Sequence, residues 1–182
     1  MERYRTIVAD PPWHYDGTTG VNRGRNAGGR KPLLPYRTMT VEQITALPVR
    51  SLAETNAHLL LWTTNRYVLA AYRVAEAWGF RPSTLLAWCK PPVGIGPGGV
   101  FAMTTEYVLY ARRGMPEHLS RQASTWWQWP RAEHSTKPDA FLDLVEATFP
   151  GPYVELFARR ARFGWAYWGD ESLGTAEMEA TA

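Results

Sequence analysis

Four consecutive residues near the N-terminus, Asp10-Pro11-Pro12-Trp13, carry the clearest chemical potential in the chain. An exocyclic purine amine is a poor nucleophile because its lone pair is delocalised into the ring. Two acceptors, each taking one N–H, hold such a nitrogen closer to tetrahedral and aim its lone pair at an incoming electrophile. Asp10 offers a carboxylate. Proline has no backbone N–H and a fixed φ, so Pro11 and Pro12 make a rigid turn whose Pro11 carbonyl can serve as the second acceptor. Trp13 offers a flat surface for a base. With nucleophile and electrophile held in line, positioning alone contributes up to roughly 7–11 kcal/mol in favourable systems. Taken alone, the four residues read equally well as a simple turn; their surroundings decide between the two.

Those surroundings are alternating strands and helices. Thr6-Ile7-Val8-Ala9 is a β-prone run that the two prolines stop. Thr40-Val41-Glu42-Gln43 has capping-box spacing and predicts a short helix ending before Pro48. His58 to Thr63 is a continuous apolar run of strand length, as in a strand covered on both faces. A helix is predicted from Arg66 to Trp78 with Gly79 as its C′ residue, then strands at Leu85 to Cys89 and Thr105 to Ala111. Lys137-Pro138-Asp139 starts a helix to about Thr148, and Tyr153 to Ala158 and Gly164 to Trp168 close the series as strands. This order predicts an α/β fold, a mostly parallel, doubly wound sheet covered on both sides. One domain is expected over residues 1–173, with residues 174–182 as a disordered tail. Three segments read as insertions at the sheet edge: Gly17 to Pro35, Lys90 to Gly99 and Gly114 to His134. In an open α/β sheet the ligand crevice lies beyond the carboxyl ends of the strands, so these loops are placed to surround one site.

Composition narrows the class. At 182 residues the chain can bury an apolar core without disulfides, and its single cysteine, Cys89, can form no internal bridge and no zinc cluster. With no signal-peptide core and no apolar run of membrane-spanning length, the expected location is the cytoplasm. His14, His58 and His118 lack ligand spacing, so no metal is expected. A net charge of +3 is weak evidence for a polyanionic partner. The distribution says more: Arg23, Arg25, Arg30, Lys31 and Arg37 share a stretch with Gly24, Gly28 and Gly29, either a flexible cationic arm or a solvated loop. Trp126-Trp127-Gln128-Trp129 either stacks on bases or anchors a loop through buried aromatics.

Several separated motifs resemble, in order, those of the MT-A family of adenine-N6 methyltransferases, which includes the catalytic subunit of the eukaryotic messenger-RNA adenine methyltransferase and many bacterial and phage members. Asp10-Pro11-Pro12-Trp13 is similar to the family's catalytic signature, and Leu34-Pro35-Tyr36-Arg37-Thr38-Met39 to the segment after its first active-site loop. Leu61-Trp62-Thr63-Thr64-Asn65, Trp78-Gly79-Phe80, Trp88-Cys89-Lys90, Thr105-Glu106-Tyr107 and Arg131 with His134-Ser135-Thr136-Lys137-Pro138 follow. Glu155-Leu156-Phe157-Ala158-Arg159 and Gly164-Trp165 with Trp168-Gly169-Asp170-Glu171 complete the set, so the resemblance runs from about Tyr4 to Glu171. It implies S-adenosylmethionine as methyl donor and a permuted Rossmann-like methyltransferase fold, with the catalytic motif before the cofactor strand Tyr153 to Ala158.

By the same resemblance Lys137 meets the carboxylate end of the cofactor, Glu155, Arg159 and Asp170 lie near its ribose and amine, and Asp10 and Phe157 border it. Tyr36 contacts the transferred methyl and adenine, while Lys90, Glu106 and Arg131 surround the base. Asp170 stands where the family commonly has Asn. The implied partner is nucleic acid, with DNA favoured over RNA because the compact chain resembles bacterial and phage members. A catalytically inactive nucleic-acid-binding subunit is the alternative of a different class, and intact Asp10 and Trp13 argue against it. Homodimer and heteromeric partner both stay open.

Overall fold

A computed structural model of the chain describes residues 2–15, 38–91, 100–130 and 137–169. The first strand, β1 (Tyr4–Ala9), has five of its six residues buried, as its apolar run requires. After a turn come α1 (Val41–Thr45) and α2 (Val49–Leu52). The Thr40 side chain accepts from the Gln43 N–H and the Gln43 side chain from the Thr40 N–H, which completes the capping box. The sequence reading stops the helix before Pro48, and α1 does stop there. Pro48 then precedes a second helical turn, where Val49 and Leu52 are buried.

Strand β2 (Ala53–Thr63) begins five residues before the apolar run and leads through a 3₁₀ turn, Asn65–Tyr67, into α3 (Val68–Ala77). Gly79 ends that helix with φ +84°, a left-handed conformation open to glycine at no steric cost, and donates its N–H to Glu76. Next are β3 (Arg81–Cys89), β4 (Thr105–Arg113), the short β5 (Trp126–Gln128), α4 (Asp139–Thr148), β6 (Tyr153–Leu156) and β7 (Trp165–Trp168). β5 lies inside the segment read as an insertion, so part of that insertion extends the sheet.

The seven strands lie in the order β5-β3-β4-β2-β1-β6-β7. β1 pairs in parallel with β2 and β6, β6 with β7, and β3 with β5; β4 alone runs antiparallel to its neighbours β2 and β3. The predicted mostly parallel α/β sheet is thus the observed one, with six strands pointing one way. On one face Ile7, Leu59, Leu61 and Leu109 pack against Ile44, Leu52, Val74 and Trp78 from α1 to α3 and their flanks. On the other, Val8, Leu60, Trp62 and Val108 pack against Phe141, Leu142 and Val145 of α4. Six carboxyl ends and the amino end of β4 therefore share one sheet edge, which places Asp10, Lys90, Glu106 and the residues after Leu156 together. No helix among the described residues is long and apolar enough to cross a membrane. The loop 17–35 and the tail 174–182 lie outside the described residues.

Candidate active site

Asp10 follows β1 at that edge, its N–H donating to the Leu156 carbonyl (3.3 Å). The turn after it is locked from two directions. The Trp13 N–H donates to the Pro11 carbonyl and the Met39 N–H to the Pro12 carbonyl, both at 2.8 Å. Since a carbonyl has two lone pairs, Pro11 keeps one for a second donor. Trp13 differs from the expectation of an open surface for a base. Its indole N–H donates to the Trp62 carbonyl (3.1 Å), its ring stacks on Tyr67 with centroids 5.1 Å apart, and it is 5% exposed. The reason is packing: beside the end of β2, so large a ring gains more from filling the core than from facing water.

A chain of alternating charges joins residues that the sequence reading assigns to two different ligands. Lys137 Nζ lies 2.9 Å from Asp10 Oδ2 and 3.2 Å from Glu106 Oε2, while Lys90 Nζ pairs with Glu106 Oε1. Each ammonium also sits over an indole: Lys137 over Trp62 at 5.0 Å and Lys90 over Trp88 at 4.6 Å. Burial alone would raise the Glu106 carboxyl, but Lys137 and Lys90 outweigh it and hold the group below the usual range. Burial alone would lower the Lys137 ammonium, and Asp10 and Glu106 raise it instead. Both stay charged at neutral pH, so the cluster is internally compensated.

Between the carboxyl ends of β1 and β6 and the start of α4 opens a cleft of about 430 Å³, counting the solvent at its mouth. Asp10 and Glu155 bring carboxylates to it, Lys137, Arg159 and Arg160 bring cations, and Trp62, Phe141, Leu142 and Phe157 bring apolar walls. Burial, followed by the charge of Asp10, pushes the Glu155 carboxyl up to about 7. Phe157 has φ +65°, in the left-handed region rare for a non-glycine residue. Neighbouring strand ends impose it. The Ala158 N–H donates to the Trp168 carbonyl (3.1 Å), and Gly169 comes so close that a Cβ there would lie 2.6 Å from the Ala158 carbonyl oxygen. Strained backbone of this kind, fixed from outside, concentrates at ligand sites. The donor set suits a nucleoside carrying an amino-acid tail: an acceptor for ribose hydroxyls, a cation for a carboxylate and apolar walls for a base. No group of His, Cys, Asp and Glu that could hold a metal exists among the described residues.

Asp10, Lys137, Glu155, Phe157 and Arg159 thus line one cleft, and Lys90 and Glu106 reach it through Lys137. Tyr36, Arg131 and Asp170 lie outside the described residues. Sequence reasoning missed Arg160, whose tandem with Arg159 shortly after β6 was a usable signal, and Phe141 and Leu142 on the first turn of α4. It also missed Tyr15, Thr64, Arg66 and Tyr67, which surround the other side of the Asp10 turn. The Tyr15 hydroxyl lies 2.6 Å from Thr64 Oγ1, and the Tyr67 hydroxyl donates to the His14 carbonyl.

The sequence pattern of the MT-A70 family matches residues 4–171. The chain is 30% identical over 184 residues to the type II methyltransferase M.MunI of a Mycoplasma species, a match covering 93% of this chain and 78% of that protein. It is 27% identical over 194 residues to the human N(6)-adenine-specific methyltransferase METTL4, covering 93% of this chain and 38% of that protein. It is also 27% identical over 186 residues to the N6-methyladenosine RNA methyltransferase MTA1 of Cryphonectria parasitica, covering 95% and 53%. The chain thus spans only about half or less of either eukaryotic relative.

Proposed function

The chain belongs to the MT-A70 family and is an adenine-N6 methyltransferase of nucleic acid, and we propose that it uses S-adenosylmethionine held in the cleft between β6 and α4 and that its substrate is DNA. The observation carrying this reading is the position of Asp10. One side chain both lines the cleft and joins, through Lys137, the cluster reaching Glu106 and Lys90. A carboxylate at that junction is where an acceptor for the target amine is needed.

The cleft residues fit the cofactor. Glu155 would accept from its ribose hydroxyls, Lys137 and Arg159 would meet its carboxylate end, and the aromatic and aliphatic walls would flank its adenine. When bound, the group supplies a sulfonium methyl. The chain supplies the rest. Asp10 accepts one N–H of the substrate amine and the remaining lone pair of the Pro11 carbonyl accepts the other, which localises the nitrogen lone pair. Lys137 fixes the orientation of the Asp10 carboxylate through its 2.9 Å contact. As the new N–C bond forms, the nitrogen must lose a proton, and Asp10 is the carboxylate placed to take it. Binding energy goes into alignment rather than into a covalent intermediate.

DNA is supported by the match across 78% of M.MunI, a type II methyltransferase, against 53% of the RNA methyltransferase MTA1. The deciding experiment incubates the protein with labelled S-adenosylmethionine and matched DNA and RNA oligonucleotides, then digests to nucleosides. Label in N6-methyl-2′-deoxyadenosine is expected. Label confined to N6-methyladenosine would reassign the substrate to RNA, and no labelled adenine nucleoside from either would refute the reading.

A further inference from the structure

The turn carrying Asp10 continues as Trp13-His14-Tyr15, and its two aromatic rings meet opposite environments. Trp13 is 5% exposed, hydrogen-bonded at its nitrogen and stacked on Tyr67, so it has no face to offer. Tyr15 is 43% exposed, and it is held in place on several sides. Its hydroxyl bonds Thr64 Oγ1 at 2.6 Å, its ring meets Tyr67 nearly at right angles with centroids 5.3 Å apart, and the Arg66 guanidinium lies 5.9 Å from its centroid. Burial of the phenol raises it above its usual range, and among the smaller influences are the charges of Glu106 and Lys137. Tyr15 thus lies on the turn that Asp10 opens, packed edge to face on the Tyr67 ring that also stacks on Trp13.

We propose that Tyr15, and not Trp13, is the aromatic platform on which the target adenine lies, with Thr64 and Arg66 holding that platform in position. The inference rests on the adenine-N6 reading and names the substrate contact it lacks. An amine presented to Asp10 lies in the plane of its purine, so the base must be fixed by a wall parallel to that plane, leaving its amine edge open. A tyrosine has few torsions to freeze, and one already held by a hydroxyl contact, an edge contact and a cation loses little entropy when a base stacks on it. Because the hydroxyl is engaged by Thr64, the contribution to the base comes from the ring and not from the O–H.

That distinction sets the test. Tyr15→Phe keeps the ring and removes the Thr64 contact; Tyr15→Leu keeps bulk and removes the aromatic face. Steady-state methylation is measured on an adenine-rich single-stranded oligonucleotide, DNA or RNA according to which the wild-type protein methylates. Cofactor affinity is measured by calorimetry in parallel. The expected result is a KM for the oligonucleotide raised about 5- to 150-fold in Tyr15→Leu, the range of a lost base–aromatic stack. Turnover at saturation should fall by less than KM rises, cofactor affinity should stay close to wild type, and Tyr15→Phe should lose less than Tyr15→Leu in every readout. An unchanged KM in Tyr15→Leu would overturn the proposal. So would equal losses in both variants, which would make the hydroxyl contact the functional one, or a parallel fall in cofactor affinity, which would make the ring a prop of the cleft. A wild-type protein that methylates no adenine in either nucleic acid would remove the adenine reading itself, and this proposal with it.

Discussion

Two partly buried carboxylates flank Asp10, and they meet opposite electrostatic conditions. On the β4 side Glu106 touches both Lys90 and Lys137 and is held ionised below the usual carboxyl range. On the β6 side Glu155 makes no ion pair among the described residues. Burial and the charge of Asp10 push it up to about 7, and the more distant Arg160 and Arg162 offset this only in part. The β4 flank carries its own counter-charges and so keeps its arrangement without help. The β6 flank holds an acceptor whose ionised form is best satisfied by hydroxyl donors, as a ribose would supply. On the proposed reading, one side of the site is a fixed frame for a base and the other a receptor for the nucleoside.

The most disruptive way to probe this contrast is at the carboxylate shared by both flanks. Asp10→Asn should lower methyl transfer about 10³-fold, the scale of losing a positioned acceptor and base, while calorimetric affinity for S-adenosylmethionine stays within a fewfold. Retained turnover would dissolve the proposed role of Asp10. Next in size is Lys137→Met, which leaves Asp10 and Glu106 facing each other without their shared cation. Removing one partner of a buried pair costs about 3–5 kcal/mol, and the 18–21% side-chain exposure here brings the expected loss nearer 2–3 kcal/mol, read by urea denaturation together with weakened cofactor binding. Unchanged stability and affinity would mean that the β4 flank does not depend on its lysines.

The smallest of the three effects, and the most diagnostic of the β6 flank, belongs to Glu155→Gln. A carboxyl raised from 4.5 in the unfolded chain to about 7 in the fold favours folding fully below pH 4.5. That contribution fades as pH rises and is gone above about pH 7. The Gln variant should therefore be the more stable protein at pH 8, by about 2 kcal/mol, with the difference vanishing near pH 4. In the wild type, cofactor affinity should weaken as pH falls through about 7, because the ionised carboxylate is the better acceptor. Parallel pH profiles for wild type and variant would erase the contrast between the flanks.

Local signals account for what was readable in advance. Thr40 and Gln43 mark a helix start, Gly79 marks a helix end, and the unbroken apolar run ending at Thr63 marks a covered strand. Less readable were the first residues of β2, where Glu54, Thr55 and Asn56 are polar and partly or fully exposed. Their place in the sheet is set by pairing with other strands, not by a pattern of their own. β5 is three residues long, and the reversed direction of β4 leaves no trace in periodicity. The motif resemblance pointed to Asp10, Lys137 and Glu155, which the fold brings to one cleft, yet it could not reveal that Lys137 joins Asp10 to Glu106, because that contact depends on three elements far apart in the chain. The choice between Trp13 and Tyr15 was hidden for a related reason. Both are large aromatics in one turn, and only the tertiary packing of Tyr67 and Trp62 decides which is covered.

The reversed strand has one more consequence. Because β4 enters the sheet at the site while β3 leaves it there, the two form an antiparallel pair in which Trp88 faces Glu106 and Cys89 faces Thr105. Register in that pair decides which way Glu106 faces: a slip of one residue would turn its carboxylate to the opposite side of the sheet, away from Lys137, so the ladder between β3 and β4 is what keeps this charge in line.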